Sequence, residues 1–130
     1  MTLSGFVGPA YLQNANAITL AIAMVETAEA LDALDEILTT PGIDGVFVGP
    51  SDLSLTLSGG AAVDPHGAEV DAALVKVVAG AKKHGKFAAA FCVDGKRAKD
   101  LAGRGFLLCS VSTDQLLLRL AAKTELAAAR

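Results

Sequence analysis

Pro41-Gly42-Ile43-Asp44-Gly45-Val46-Phe47-Val48-Gly49-Pro50-Ser51-Asp52-Leu53-Ser54 compresses a helix stop, a buried strand and a turn into one short stretch. Pro41-Gly42 ends the helix before it: proline has no amide proton to donate, and glycine takes the left-handed conformation that closes helices. Gly45–Val48 is apolar without alternation, the pattern of a strand buried on both faces, and parallel sheets are the usual case. Gly49-Pro50-Ser51 then turns the chain and places Asp52 just past the strand's carboxyl end.

Outward from this stretch, three more apolar runs read as strands: Ile18–Val25, Phe87–Phe91 and Phe106–Val111. Helical patterns separate them. Ala28–Leu38 puts Ala30, Leu31, Leu34, Ile37 and Leu38 on one stripe, with Thr27 as N-cap and Glu29 in the first turn. Glu69–Lys83 turns Val70, Ala73, Leu74, Val77 and Val78 inward, and Gly85 closes it. Asp94 caps a short helix over Gly95–Leu101, and Ser112 or Thr113 opens Asp114–Ala129. The alternation predicts an α/β fold of four consecutive βα units with parallel strands. We read residues 1–130 as a single half-barrel domain, with a lead-in over 1–17 and the four units over 18–130. The run from Pro50 to Pro65, rich in Ser, Gly and Leu, exceeds the roughly two to six residues of an ordinary βα loop and reads as a functional loop. Four units are half of a (β/α)8 barrel, which typically needs about 250 residues. Alone they leave two unpaired strand edges and an apolar inner face, to be covered by a second copy, a complementing half-barrel or a rearranged topology.

The chain has 130 residues, 52% hydrophobic and 19% charged, which suits one compact domain and excludes disorder. A net charge of -3 gives no footprint for nucleic acid. Charge is unevenly spread: residues 1–75 hold ten acids and no Lys or Arg, while residues 76–130 hold all eleven bases and four acids. Such blocks point to contact between the halves, or to a cation or partner that offsets the acids, or simply to solvated faces. The apolar run Ala17–Val25 has no basic residue before it, ends at Glu26 and is shorter than the roughly 20 residues that span a bilayer. No membrane segment is expected, and Cys92 and Cys109 read as reduced core thiols, so a soluble cytoplasmic protein is predicted.

Two acids follow strands at equivalent places, Glu26 after Ile18–Val25 and Asp52 after Gly45–Val48. Neighbouring strands about 4.8 Å apart would bring both carboxylates into one crevice, where they need a shared proton or a cation. Two carboxylates completed by water and substrate oxygens suit a hard divalent ion. The plainer reading is that each acid caps the helix after it.

Met24-Val25-Glu26-Thr27 with Ala30-Leu31 and Ile37, together with the Pro41–Ser54 stretch, closely resembles the HpcH/HpaI aldolase family, and Tyr11-Leu12 and Ala15-Asn16 match the lead-in to its fifth strand. The resemblance covers about residues 5–130 and corresponds to the second half of that family's (β/α)8 barrel. It implies a metal-dependent (class II) aldolase acting on 2-keto acids, which cleaves or forms a carbon–carbon bond next to a pyruvate unit. By motif match Glu26 and Asp52 are the carboxylates for a divalent metal ion (Mg, Mn or Co). Gly49, Pro50, Ser51 and Asp52 form the turn that binds the keto-acid carboxylate. The chain departs from the family in lacking the front half, which supplies a general-base His and a carboxylate-binding Arg. Met24 stands where many members carry Gln.

No local residue is a ready substitute. Asp64-Pro65-His66 reads as the turn into a helix, and His84 precedes a strand, at the opposite end from the site. Lys86 begins a strand at its wrong end for a Schiff base, Cys92 reads as core, and Ser110, Ser112 and Thr113 either cap a helix or hold an anion. Three functions remain in view: an aldolase or lyase whose site is completed by another chain or by sequence absent here, a catalytically silent half-barrel that binds metal and small carboxylates, and a structural or assembly module. Pyruvate or a 2-keto acid is the expected ligand, and a homo-oligomer or complementing half-barrel the expected partner.

Overall fold

The computed structural model describes residues 9–130. Strands β1 (Ile22–Val25), β2 (Gly45–Val48), β3 (Phe87–Cys92) and β4 (Leu108–Val111) form one sheet in that order, every neighbouring pair parallel. Helix α1 (Pro9–Ile18) leads in, and α2 (Ala28–Asp32) and α3 (Leu34–Thr39) join β1 to β2. Helices α4 (Pro50–Leu57) and α5 (Ala68–Lys83) join β2 to β3, α6 (Gly95–Arg104) joins β3 to β4, and α7 (Asp114–Ala128) follows β4. The predicted α/β architecture of four parallel βα units is the one observed.

The differences in detail have local causes. Within the predicted lead-in, residues 1–8 lie outside the described residues, and the rest forms most of α1. The first strand begins at Ile22, not Ile18, because β2 offers only four residues to pair with. Ile18 instead ends α1, and Thr19 N–H donates to Ala15 C=O at 2.9 Å. Asp44 then closes the lower end of the pair: its carboxylate accepts Ala21 N–H, and its own N–H donates to Ala21 C=O, each at 2.8 Å. The helix expected over Ala28–Leu38 bends at Ala33, yet hydrogen bonds run across the bend, from Ala33 N–H to Glu29 C=O and from Ile37 N–H to Ala33 C=O. Pro50 to Pro65 is not all loop. Pro50 at the first helical position is pre-set for helix, and Leu53 is fully buried, so α4 forms.

The core lies between the helices and one face of the sheet. Val25, Val46, Val48, Ala88, Ala90 and Cys92 meet Leu31, Leu34, Leu38, Leu53, Leu74, Val77 and Leu101. Small residues set the spacing: a Cβ on Gly80 of α5 would come within 3.1 Å of Leu34 and 3.2 Å of Leu38. On the other face, a Cβ on Gly45 would strike the Phe87 carbonyl at 2.7 Å and its ring at 2.8 Å. No residue of α7 is buried.

The uneven charge is partly settled by contacts between the halves. Lys83 and His84 at the end of α5 hold Asp35 of α3 at 3.1 and 2.7 Å, and Lys76 Nζ donates to Leu31 C=O. Between α5 and α6, Arg97 meets Asp71 at 2.7 Å and Asp100 at 2.9 Å, and Arg104 meets both acids as well. The exposed Lys83 pair adds little, whereas Arg97 is 12% exposed and holds its partners in a drier setting.

Two outcomes follow. Leu74→Ala, at 1% exposure, should cost about 2–5 kcal/mol in urea unfolding, while Leu118→Ala, at 72%, should stay within about 0.5 kcal/mol. The hydrogen bond from the Arg97 guanidinium, with a smaller one from Arg104, outweighs slight burial and holds the Asp71 carboxyl below its ordinary value of 3.8. A depressed native pKa gives stability that is present above the unfolded value and lost as pH falls through the folded one. Asp71→Asn should therefore flatten the acid limb of the unfolding midpoint below about pH 4 and lower the midpoint at neutral pH.

Candidate functional site

The site is built where β1 and β2 end together. Val25 pairs with Val48, so the next residues, Glu26 and Gly49, lie side by side, and Gly49 N–H donates to Val25 C=O at 3.3 Å. A Cβ on Gly49 would stand 2.9 Å from Glu26 Oε2, 3.1 Å from Glu26 Cβ and 3.8 Å from Met24 Cε. Only glycine leaves room there for the Glu26 carboxylate. Thr27 caps α2 by accepting Ala30 N–H at 3.1 Å, so the cap belongs to Thr27 and Glu26 is free of that role.

Gly49 is also the N-cap of α4, followed by Pro50, Ser51 and Asp52 in its first turn. The first helical amide to find an acceptor is Leu53 N–H, on Gly49 C=O at 2.9 Å. Proline has no N–H, so Ser51 and Asp52 carry the α4 amides that lack an intrahelical acceptor. The helix end therefore offers two donors and a positive dipole to an anion beside Glu26. Pro50 is buried, Ser51 half-buried and Asp52 exposed.

Two residues without a predicted role hold α4 in place. Ser54, 5% exposed, donates to Ser51 C=O at 2.6 Å and accepts Asp64 N–H at 3.0 Å, which ties the first turn to the loop beyond. Thr56 Oγ1 accepts Ala28 N–H at 3.1 Å and so joins α4 to the start of α2. Its place at the end of the Gly49–Ser54 stretch was the available signal for Ser54. Thr56 gave none, because its partner is distant in sequence.

The remaining candidates fall into place around this centre. His66 is exposed, its N–H donates to Asp64 Oδ1 at 3.2 Å, and its side chain borders a cleft shared with Pro50, Ser51, Pro65, Phe91, Val93 and Arg97. Arg97 thus reaches the neighbourhood of Ser51 from far along the chain, but its guanidinium is occupied by Asp71 and Asp100. His84 bonds Asp35, and Lys86 Nζ donates to Ile43 C=O, below the strands. Burial, with Cys109 beside it, pushes the Cys92 thiol up to about 11, so it stays protonated as a core group. Thr113 caps α7 by accepting Leu116 N–H, while the buried hydroxyls of Ser110 and Ser112 have no partner among the described residues. Among the described residues, no three His, Cys, Asp or Glu side chains converge as a metal cluster. No helix among them is long and apolar enough to cross a membrane.

The HpcH/HpaI aldolase/citrate lyase family profile matches residues 7–121. The chain belongs to this family. It is 41% identical over 123 residues to a hydroxypyruvate/pyruvate aldolase of Rhizorhabdus wittichii, a match spanning 95% of this chain and 49% of that protein. Its fold superposes with a TM-score of 0.78 on an HpcH/HpaI aldolase/citrate lyase family protein from Burkholderia cenocepacia, 32% identical, over 94% of this chain and 47% of that one. A citrate lyase β subunit from M. tuberculosis, complexed with oxaloacetate and magnesium, gives 0.61 at 27% identity, over 75% of this chain and 48% of its own. The chain thus spans about half the length of the relatives it matches. In family terms its four units are half of a barrel whose ends of β1 and β2 meet at Glu26 and Gly49.

Gly49→Ala tests the contact at the centre of this arrangement. The far end of a flexible side chain can give way, so stability should change by no more than about 1 kcal/mol. The variant's crystal structure should show the Glu26 carboxylate displaced. A carboxylate left where it stands would contradict the contact.

Proposed function

We propose that this chain is the metal- and keto-acid-binding half of a metal-dependent (class II) aldolase, and that proton transfer belongs to the front strands its relatives possess. The Glu26 carboxylate seated against Gly49 carries this reading, because it puts an acid beside a helix end that offers free amides. Glu26 and Asp52 are hard oxygen donors, and the space a side chain at position 49 would fill is left open on Glu26. The residues present therefore suit a small divalent ion such as Mg²⁺, Mn²⁺ or Co²⁺, with water or ligand oxygens completing its shell. When bound, such an ion stabilises the negative charge that a 2-keto acid develops as the bond next to its pyruvate unit breaks or forms.

This chain's own residues then bind and orient. The amides of Ser51 and Asp52 and the Ser51 hydroxyl receive the keto-acid carboxylate, and Ser54 and Thr56 keep that turn fixed. The magnesium and oxaloacetate held by the citrate lyase relative support the same ligand class. Cys92 and Cys109 fit a reducing cytoplasm as thiols.

Two parts of an aldolase are not supplied here. Among the described residues no free guanidinium borders this turn, since Arg97 is taken by two acids; hydrogen bonds to charged groups contribute about 1.5–3 kcal/mol. Among the described residues no base faces Glu26 and Asp52 either, and a positioned base gives roughly a hundred- to ten-thousand-fold. The isolated chain should therefore bind without turnover. Calorimetry with Mn²⁺ should show weak binding that pyruvate strengthens and that Glu26→Ala or Asp52→Ala abolishes. Retro-aldol cleavage of a 4-hydroxy-2-keto acid, followed by coupled pyruvate detection, should stay at background. Turnover at the rate of full-length relatives, lost in Glu26→Ala, would overturn this division of labour, and Mn²⁺ binding untouched by both substitutions would move the ion elsewhere.

A further inference from the structure

Gly49 has a second neighbour besides the Glu26 carboxylate. The position its Cβ would take lies 3.8 Å from Met24 Cε, so the end of the Met24 side chain and the Glu26 carboxylate flank the same bare stretch of backbone. The strand sets them together. Side chains alternate along β1, and Val25 points into the core beneath the helices, so Met24 and Glu26 share the opposite face.

Met24 also heads an apolar row across that face. It pairs with Phe47, Phe47 with Ala89, and Ala89 with Leu108. The row directly below Glu26 and Gly49 therefore holds no side chain that donates a hydrogen bond. One step up, the register continues from Val48 and Ala90 to set Gly49 beside Phe91, which pairs with Ser110. The Ser110 hydroxyl is thus three strands along from Glu26, with Phe91 between. At Gly49 itself the face offers two side chains, a carboxylate that accepts and a thioether that does neither well.

We propose that Met24 is a specificity-determining residue that makes this turn favour pyruvate over hydroxypyruvate, an assignment that rests on the keto-acid reading above. The two acids differ by one hydroxyl, on C3. A keto acid with its carboxylate on the Ser51 and Asp52 amides and its keto oxygen toward Glu26 runs over Gly49, and its C3 meets the Met24 methyl. Hydrogens on C3 make an apolar contact there. A hydroxyl gives up water on that side and gains no partner, because a thioether has no proton to donate and accepts weakly. Glutamine has nearly the reach of methionine but ends in a donor and an acceptor, so Met24→Gln changes the chemistry of the contact and little else.

Calorimetry on the Mn²⁺-saturated chain, titrated in turn with pyruvate and with hydroxypyruvate, reads the ratio of the two affinities. Both titrations use the same metal-loaded protein, so a change in metal affinity or in folded fraction cancels from that ratio. Pyruvate should bind about fivefold more tightly, the scale of one net hydrogen bond. Met24→Gln should bring the ratio to one or invert it, whereas Met24→Leu, apolar and of similar size, should keep the preference. Equal affinities in the unsubstituted chain overturn the assignment and leave the keto-acid reading standing. So does a preference that survives Met24→Gln, or one that Met24→Leu abolishes as well. If neither acid binds the metal-loaded chain, the keto-acid reading itself fails and the assignment falls with it.

Discussion

The pairing of Val25 with Val48 is the constraint on which the rest of this molecule depends. Asp44 fixes the register at one end by gripping Ala21, and Gly49 fixes it at the other by donating to Val25. Because side chains alternate along a strand, a slip of one residue would turn Val25 and Val48 out of the core. The same slip would separate Glu26 from Gly49. Core and candidate site are therefore held by one register, and burial of the two valines stabilises the position of a carboxylate that makes no ion pair among the described residues.

Much of this was legible in the amino-acid sequence because it is set by neighbours in the chain. Thr27, Asp94 and Thr113 cap helices as their residue types and positions predict, and the apolar stripes of α3 and α5 face the sheet. What escaped depends on partners far along the chain. The Ser- and Gly-rich composition after Pro50 reads as loop, but burial of Leu53 and the Ser54 bond to Asp64 make its first half a helix. Ile18 is as apolar as a strand residue, and only the shortness of β2 assigns it to α1. Helix α7 shows the opposite case: its apolar stripe is plain in the sequence, yet among the described residues none of it is buried and only Leu116 is half-buried. For the site, the placement of Glu26 and Asp52 after strands was local and readable, whereas the contact of Glu26 with Gly49 and the approach of Arg97 to Ser51 required the fold.

The partition of charge has a comparable explanation. Lys76 in the middle of α5 and Lys83 and His84 at its end reach back to Asp32 and Asp35, and Arg97 and Arg104 meet Asp71 and Asp100, so the middle of the molecule is internally matched. Excess acid remains at the head of β1 and around Asp52, while α7 carries two acids, Asp114 and Glu125, and two bases, Arg119 and Lys123. The acid beside the α4 amides suits a cation that also draws in an anion, which is the pairing a keto acid on a divalent ion presents.

The central claim is that Glu26 and Asp52 serve one ion at the joined ends of β1 and β2. Anomalous diffraction from crystals of this chain grown with Mn²⁺ and pyruvate tests it most directly. The account predicts a single strong peak bridged by the Glu26 and Asp52 carboxylates, with pyruvate's carboxylate on the amides of Ser51 and Asp52. Manganese bound elsewhere, or a saturating concentration that leaves no peak between those two side chains, would contradict it.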